Sequence, residues 1–371
     1  MPLYAFGSNG SGQLGIGHIE DVSTPTKCLF DDIAPPASEI TRIAAGGNHT
    51  LVLFSDGRVY ATGMSVDGRC GVVPGDGDGG DGGDDGIVMR FRQVVVDGVQ
   101  RFRDVSATWE ASFLVSGEGE GEGRRVFVFG SGGKGELGLG KEVAICKGGG
   151  GGDVEQIWFG DKVVGIASGM GHTVVVLENG EVCGWGAARK GQLGQARKGD
   201  KVVWEPVRIG EVGFRATGAA CGREFTVVVG DREKGEFVVF GSADDRWGVL
   251  AGSVIPAPVG CRSIEASWHG IYVHCQDGEV VAWGRNDRGQ LPPREMGRVT
   301  DLAVGSEHVL ATIDEQTVVA CGWGEHGNCG PVTDAQGNVK GICSPIPLPE
   351  EVSSVVGIGA GCATSWVITR D

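Results

Sequence analysis

Two glycine-rich strings are the segments of this sequence that come closest to a nucleotide-binding loop. They are Gly130–Gly135 and Gly322–Gly327, and both read Gly-x-Gly-x-x-Gly directly after a predicted β-strand. A dinucleotide site also needs a helix that begins at the glycines, and neither string opens a predicted helix. The sequence holds no Gly-x-Ser-x-Gly elbow and no Gly-x-x-x-x-Gly-Lys-Ser/Thr loop. We therefore expect neither a hydrolase nor a nucleoside triphosphatase, with no catalytic residues and no bound cofactor.

Three neighbouring side chains carry the donor types that suit zinc. Glu325, His326 and Cys329 offer a carboxylate, an imidazole and a thiol, but no second pair of ligands is visible elsewhere in the sequence. The Gly/Asp run between 76 and 85 is rich in oxygen donors, yet it lacks the ligand spacing of a preformed calcium loop. We expect no metal site at either segment.

A more informative set of side chains stands at the start of the predicted innermost strand of successive repeats. In the other repeats this turn consists mainly of small residues. Two repeats replace them, one with Trp109 and Glu110 and the other with Trp268 and His269. Exposed tryptophans beside charges are typical anchors of protein interfaces, and these four residues have no evident structural duty. We predict partner binding by eight residues: Trp109, Glu110, Arg223, Glu224, Trp268, His269, Glu307 and His308. His308, with His49 and His172, has a second interpretation, as a hydrogen-bonding bridge between repeats.

These side chains are carried by a repeat that occupies almost the whole sequence. One half is a strand that ends in glycine, such as Val126–Gly130, and the other is a small-residue turn leading into a β-rich strand, such as Ser168–Val176. Each half occurs seven times, with about 53 residues per repeat. Between halves, Asp56-Gly57, Asn179-Gly180 and Asp277-Gly278 predict hairpins with type I′ turns.

The order of the halves predicts how the repeats close. The sequence opens with a strand-glycine half at Tyr4–Gly7 and ends with a turn-strand half at Gly361–Ile368. A ring lets these two fragments pair and removes the open sheet edge. We therefore predict an all-β fold, a seven-bladed β-propeller that forms a single domain over 1–371 with one composite blade. Inserts at 74–86, 117–123 and 147–153, rich in glycine and charge, are predicted to be disordered loops.

Composition narrows the classes of protein that fit. Aspartate and glutamate outnumber lysine and arginine by 48 to 32, and the net charge of −16 disfavours direct nucleic-acid binding. Eleven cysteines without a Cys-x-x-Cys pair are typical of reduced thiols inside a cell. There is no basic, apolar leader and no run of 18 uncharged apolar residues. We expect a soluble protein of the cytoplasm, with the nucleus as a second compartment and no membrane association.

The repeated motif resembles that of a known family. Phe6–Gly15, a strand followed by Gly-x-Asn-x-x-Gly-Gln-Leu-Gly, and Gly46–Thr50 before the next strand are similar to the repeat of the regulator-of-chromosome-condensation propellers. The resemblance covers nearly the whole chain and implies a seven-bladed propeller. Members of that family serve as nucleotide-exchange factors for small GTPases, as binding platforms, or as modules of larger proteins, so the fold alone does not imply one function.

A narrower resemblance is carried by Cys321–Pro331 and Gly361–Ile368, which are similar to the last blade and closing strand of a fungal branch of that family. It implies a non-enzymatic partner of a small CSL-type zinc-finger protein, diphthamide biosynthesis protein three, with which it forms a heterodimer. It also implies roles in Elongator-dependent modification of wobble uridine in tRNA and in diphthamide synthesis on elongation factor two. In both pathways the small protein is implied to carry electrons to iron–sulfur enzymes.

The mechanism we predict is docking, in which one propeller face holds a small acidic or metal-loaded partner. Aromatic anchors would supply the contact area and charged groups would fix the register. The rival is a guanine-nucleotide exchange factor for a small GTPase, which would need a rigid wedge, and the acidic Gly-rich inserts are poor material for one. A ubiquitin-ligase or trafficking adaptor stays open as a third possibility.

Overall fold

Seven antiparallel sheets contain every strand named in the described part of the chain. The computed structural model describes residues 1–31, 38–72, 86–117, 119, 121, 123–147, 154–242, 244–251 and 259–370. The sheets are the blades of the predicted seven-bladed propeller, and this fold class is confirmed. The segments predicted to be disordered, 74–86, 117–123 and 147–153, lie mostly outside the described residues.

We label the blades A to G and give the strands of each from the axis outward. Blade A consists of β26 (Ser354–Ala360), β27 (Thr364–Arg370), β1 (Leu3–Gly7) and β2 (Val22–Lys27). Blade B consists of β3 (Ile40–Ala45), β4 (His49–Phe54), β5 (Val59–Met64) and β6 (Ile87–Gln93). Blade C consists of β7 (Phe102–Ala107), β8 (Ala111–Ser116), β9 (Arg125–Ser131), and both β10 (Ile145–Cys146) and β11 (Gln156–Trp158) against β9. Blade D consists of β12 (Val163–Ser168), β13 (His172–Leu177), β14 (Val182–Ala187) and β15 (Val202–Arg208).

The remaining three blades follow the same order. Blade E shows β16 (Gly218–Cys221), β17 (Thr226–Val229) and β18 (Phe237–Phe240). Blade F shows β19 (Ser263–Ala266), β20 (Gly270–His274) and β21 (Val280–Gly284). Blade G consists of β22 (Asp301–Val304), β23 (His308–Thr312), β24 (Val318–Trp323) and β25 (Asn338–Pro345). Among the described residues, short 3₁₀ helices lie outside the blades at Gln195–Arg197, Arg232–Lys234 and Arg294–Met296. In the described ranges no helix has the length and apolar character to cross a bilayer.

The first strand of every blade lies at the axis. Around the ring, β3 contacts β7, then β12, β16, β19, β22 and β26 follow in turn, and β26 contacts β3. The turns that carry the predicted site residues therefore lie at the end of the innermost strand, not at its start as predicted. The prediction was wrong on this point because the axial strand precedes the turn, and the β-rich strand that follows the turn is the second strand of the blade.

Blade A closes the ring as the order of the repeats predicted. Strand β1 pairs with β27 in the register Tyr4↔Val367, and β26 pairs with the other edge of β27. Trp366 in β27 is fully buried and packs in a hydrophobic cluster with side chains of β1 and blade B. The two ends of the chain thus complete one blade between them.

Most of the core lies between blades rather than at the axis. Each of the six hydrophobic clusters joins residues of adjacent blades, for example Phe113 of blade C with Trp185 of blade D, whose rings are 5.5 Å apart and nearly perpendicular. All eleven cysteines are free thiols, and each is buried or half-buried. Burial of both faces of a blade explains the apolar runs within the second strands, such as Val174–Leu177.

A glycine at or near the end of the third strand lets that strand pass close to the turn between the first and second strands, which carries the predicted site residues. Gly130 has φ +103°, and a Cβ there would lie 2.2 Å from the carbonyl oxygen of Glu110. Gly284 has φ +125°, and a Cβ there would lie 2.2 Å from the carbonyl oxygen of His269. Only glycine accepts this backbone conformation together with such close approach. The repeat therefore keeps glycine where the outer strands meet the turn.

The hairpins between second and third strands differ from the predicted type I′ turns. Gly57 has φ +84°, but among the described residues Ala363 alone, apart from glycines, has positive φ, so Asp56 does not. The amide of Phe54 donates to the carbonyl of Arg58, and the amide of Gly57 donates to that of Phe54. This is a three-residue loop, a type I turn followed by a left-handed glycine. Asp56 serves the loop by accepting a hydrogen bond from the backbone amide of Arg58.

Candidate functional site

Backbone hydrogen bonds join the turns between first and second strands into a rim around one mouth of the central channel. The amide of Trp109 donates to Met170 of the next blade (3.1 Å), and the amide of Gly47 donates to Trp109 (3.0 Å). The amide of Arg223 donates to Trp268 (3.0 Å), whose own amide donates to Ser306 (2.9 Å). We use the word rim for residues 46–49, 107–110, 168–171, 221–224, 267–269, 305–307 and 361–363. The rim is thus a rigid platform for the side chains that it carries.

Trp109 and Trp268 meet across the channel mouth. They come from blades C and F, and their ring centroids are 5.9 Å apart with 43° between the ring planes. Both line the upper end of the channel, a cavity of about 290 Å³ that is bounded by the seven axial strands. Each is half-buried rather than fully exposed as expected, because each ring covers part of the other. The pair presents one joint aromatic surface to solvent.

Gly47 fixes the position of the Trp109 ring. A Cβ at Gly47 would lie 2.6 Å from two atoms of that ring, which is too close for any real contact. The backbone of Gly47 also donates to the carbonyl of Trp109. Blade B therefore supports the tryptophan of blade C from below, and a side chain at Gly47 would displace it.

Glu307 is the centre of a buried polar cluster beneath the rim. Its side chain is 6% exposed and accepts from Arg285 Nη1 (2.9 Å) and Gln290 Nε2 (2.6 Å), while His269 Nδ1 lies 3.2 Å from Oε1. Burial tends to raise the pKa of Glu307, but the hydrogen bonds from His269 and Gln290 and the charge of Arg285 lower it overall. Glu307 is therefore an ionised anchor between blades F and G. His269, expected to have no structural duty, shares in that cluster.

Arg223, Glu224 and Glu110 are the predicted residues that point to solvent. The Arg223 guanidinium lies over the Trp268 ring, 5.4 Å from its centroid. Glu224 pairs weakly with Lys190 at 3.7 Å, and Glu110 lies 3.8 Å from Arg69. All three are exposed, so a partner on the rim can reach them. Together with the tryptophan pair they form the accessible part of the predicted site.

The three histidines at the start of second strands bridge neighbouring blades. Each Nε2 lies within hydrogen-bond distance of a hydroxyl on the next blade: His49 of Ser112 (2.8 Å), His172 of Thr226 (2.9 Å) and His308 of Ser365 (2.9 Å). Burial lowers the pKa of His49 to about 3 and that of both His172 and His308 to about 4. All three are therefore neutral at pH 7. His308 is fully buried, so a partner on the rim cannot reach it.

A second group of aromatic and cationic side chains beside the rim was missed from the sequence. In an antiparallel blade the loop after the third strand lies on the same face as the first turn, and the amide of Ser131 accordingly donates to the carbonyl of Glu110. Trp247 and Arg285 come from such loops and stack at 5.0 Å, and the Trp247 ring lies 6.2 Å from that of His269. The sequence did contain a signal for this group. Asp245–Gly248 corresponds to the Asn-x-x-Gly turn of Asn9–Gly12, with Asp in place of Asn and with Arg and Trp at the two variable positions.

The channel below the tryptophans contains ionisable groups from several blades. Arg42 of blade B makes an ion pair with Asp104 of blade C and donates to the carbonyl of Ile166 of blade D (2.9 Å). Glu265 of blade F accepts from the amide of Val304 (3.2 Å), and burial raises its pKa to about 7. These groups tie the axial strands together across the cavity.

The residues weighed as zinc ligands do not converge. Cys329 is fully buried in the core between blades, and burial raises the pKa of its thiol. His326 lies at the surface with Nδ1 2.8 Å from Asp21 Oδ2 of the composite blade. Within the described ranges, no group of three or more His, Cys, Asp or Glu side chains is arranged to hold a metal ion.

Comparison with known sequences places the repeat in one family. Residues 2–53 and 179–229, and separately 40–69, match the regulator of chromosome condensation (RCC1) repeat. An RCC1 repeat-containing protein of Schizosaccharomyces pombe is 30% identical over 387 aligned residues, which cover 100% of this chain and 99% of the relative. The secretion-regulating guanine nucleotide exchange factor of Mus musculus is 26% identical, with 99% of this chain and 83% of that protein covered.

A solved structure agrees on the fold. Prp20p from Saccharomyces cerevisiae, described for its binding to Gsp1p and histones, superimposes with a TM-score of 0.80 at 18% identity, covering 100% of this chain and 92% of Prp20p. At that identity the similarity shows a common architecture. The mouse relative is named as an exchange factor, and Prp20p is described for its binding properties.

Proposed function

Because this chain belongs to the regulator of chromosome condensation (RCC1) repeat family, we propose that it is a non-enzymatic scaffold that docks a small protein partner on the rim. The observation that carries the proposal is the Trp109–Trp268 pair, two half-exposed rings 5.9 Å apart on a hydrogen-bonded platform. Large aromatic side chains held rigid at the centre of a surface are the usual sites of strong binding energy. The exposed Arg223, Glu224 and Glu110 around them would set the orientation of the partner.

We further propose a specific partner, the small CSL-type zinc-finger protein known as diphthamide biosynthesis protein three. Support comes from the similarity of Cys321–Pro331 and Gly361–Ile368 to the fungal alpha-tubulin suppressor, also called killer-toxin-insensitivity protein thirteen. That resemblance implies a heterodimer that serves Elongator-dependent tRNA modification and diphthamide synthesis in the cytoplasm, with the nucleus as a second compartment. In this role the propeller makes and breaks no bond. It would hold and orient the electron-carrying partner, and so influence which iron–sulfur enzyme that partner meets.

Calorimetric titration with the recombinant zinc- or iron-loaded CSL protein tests the proposal. We expect one-to-one binding that Trp109→Ala and Trp268→Ala each weaken by about tenfold or more, since truncation of a central aromatic typically costs at least 1–2 kcal/mol. Trp158→Ala is the matched control, because Trp158 is 59% exposed on an outer strand of blade C, away from the rim. Absence of binding by the unmodified chain would overturn the partner. Binding that both rim variants leave unchanged would overturn the docking site.

A second candidate, guanine-nucleotide exchange on a small GTPase, is favoured by the 26% identity to the mouse secretion-regulating exchange factor over nearly the whole chain. Release of a fluorescent guanine nucleotide from a panel of loaded small GTPases separates the two functions. An exchange factor accelerates release at catalytic concentrations of the propeller, whereas a docking scaffold leaves the release rate unchanged.

A further inference from the structure

We infer that stacked tryptophan and arginine side chains on the rim and directly beside it bind a carboxylate-rich segment of a partner protein. The inference rests on the proposed docking function and names the chemistry that this face recognises. The set, which we call the Trp–Arg band, runs over blades E, F and G and consists of Arg223, Arg246, Trp247, Trp268, Arg285, Arg288 and Trp323.

The band is built from three Trp–Arg stacks on one face. Arg223 lies 5.4 Å from the ring centroid of Trp268, and Arg288 lies 5.3 Å from that of Trp323. The Trp247 ring contacts two guanidinium groups, those of Arg246 at 4.6 Å and of Arg285 at 5.0 Å. Stacking on a ring restrains a guanidinium group and leaves its N–H edge free to donate two parallel hydrogen bonds to a carboxylate.

The loop that carries Trp247 is held in place before any partner arrives. The carboxylate of Asp245 accepts hydrogen bonds from the amides of Val249 (2.7 Å) and Leu250 (2.8 Å). From blade F, the indole of Trp283 donates to the carbonyl of Val249 (2.9 Å). A surface that is already ordered loses less conformational entropy on binding, which favours affinity.

Three of the four guanidinium groups in the band lack an acidic partner. Arg285 is paired with Asp287 (2.6 Å) and with the buried Glu307 (2.9 Å). Arg223, Arg246 and Arg288 form no ion pair with any carboxylate of the described residues, and each guanidinium group stacks on a tryptophan ring. Three unpaired cations on one face of a protein with net charge −16 are complementary to an acidic ligand.

An acidic peptide segment fits this face better than a nucleic acid does. Exposed carboxylates, those of Glu110, Glu224 and Glu325, lie on the same face and would repel a continuous phosphate backbone, as would the net charge of the chain. A short segment of aspartate and glutamate needs only the local charge of the band. Planar carboxylates also match the fork of the guanidinium group.

Fluorescence anisotropy with a labelled short polyglutamate peptide and the full chain at low ionic strength tests the inference. We expect binding that Arg246→Gln combined with Arg288→Gln weakens by about tenfold, because both removed groups are free to pair with carboxylates. Arg298→Gln combined with Arg101→Gln removes the same two charges from exposed positions on the opposite face, before β22 and β7, and should leave the affinity unchanged. Circular dichroism of each variant checks that the fold is retained.

Several results would overturn the inference. One is an equal loss of polyglutamate affinity in the control variant, and another is an affinity that the two band substitutions leave unchanged. A third is tighter binding of a single-stranded oligonucleotide of equal charge through the same arginines, which would indicate a nucleic-acid ligand. The outcome is separable from that of the proposed function. If the CSL protein binds through Trp109 and Trp268 but polyglutamate does not bind, only the inference about the Trp–Arg band is overturned. If polyglutamate binds but the CSL protein does not, the proposed partner is overturned and the inference about the Trp–Arg band is supported.

Discussion

At the scale of single residues, the charge state of Glu265 in the channel makes stability depend on pH. Burial raises its pKa from the ordinary 4.5 to about 7, so the folded state binds a proton that the unfolded chain has already released between these values. Folding therefore loses stability as pH rises from about 4.5 through 7. The charge of Asp301 raises the pKa of Glu265 further, and that of Arg42 lowers it.

We predict that Glu265→Gln removes this loss. Relative to the unmodified chain, the variant should gain up to about 3 kcal/mol of unfolding free energy between pH 4.5 and pH 8, since glutamine carries no charge to bury. Urea unfolding at a series of pH values measures the difference. A difference that stays constant with pH would contradict the prediction, because it would show that folding leaves the pKa of Glu265 unchanged.

The residue scale also shows where sequence reasoning stops. Trp109 and Trp268 were identified because they break the small-residue pattern of the turn, which is visible in a local comparison of repeats. Their mutual contact was not predictable, since it joins blades C and F across the channel. The role of Glu307 was missed for the same reason: Arg285 and His269, which make it a buried anchor, come from another blade.

At the scale of elements, the junctions between blades use histidine as a neutral hydrogen-bonding group. His172 joins β13 to Thr226 of β17, and His308 joins β23 to Ser365 of β27. Both have a pKa near 4 in the folded state against an ordinary 6.5. The unfolded chain therefore takes up protons as pH falls below 6.5, and stability is lost down to about pH 4.

We predict that His172→Gln reduces this acid sensitivity. The variant should lose about 1 kcal/mol at pH 7 from the altered hydrogen bond. It should regain up to about 3 kcal/mol relative to the unmodified chain between pH 6.5 and pH 4, because glutamine does not titrate. The half-buried, surface-lying His18→Gln serves as control in thermal or urea unfolding. Parallel acid profiles for the His172 variant and the unmodified chain would contradict the account.

Strand boundaries followed from the sequence because glycine and β-branched runs recur at fixed places in each repeat. Turn type did not, since Asp-Gly occurs in both two-residue and three-residue hairpins and the backbone hydrogen bonds decide between them. The prediction of which strand lies at the axis was also wrong. That strand has no motif of its own and is defined only by its contacts around the ring.

At the scale of the whole molecule, stability depends on closure by blade A. Strand β27 lies between β1 and β26, so it supplies hydrogen bonds to both ends of the chain. Its residues Thr364–Thr369 are buried. Strand β27 therefore joins the two ends of the chain within one blade.

We predict that deletion of residues 361–371 abolishes cooperative unfolding. Without β27, both β1 and β26 present open edges and the cluster around Trp366 loses its centre. A synthetic peptide of residues 361–371, added in trans, should restore a cooperative thermal transition in circular dichroism. A sharp transition in the truncated chain alone would mean that the remaining blades fold without closure.

Hydrogen–deuterium exchange of the chain with and without the CSL protein tests the central claim, docking on the rim, most directly. We predict that binding slows exchange in the rim segments 107–110, 221–224 and 267–269. The hairpins on the opposite face, at 55–58 and 178–181, should exchange at unchanged rates. Protection confined to the hairpins, with the rim unaffected by the bound partner, would contradict the account.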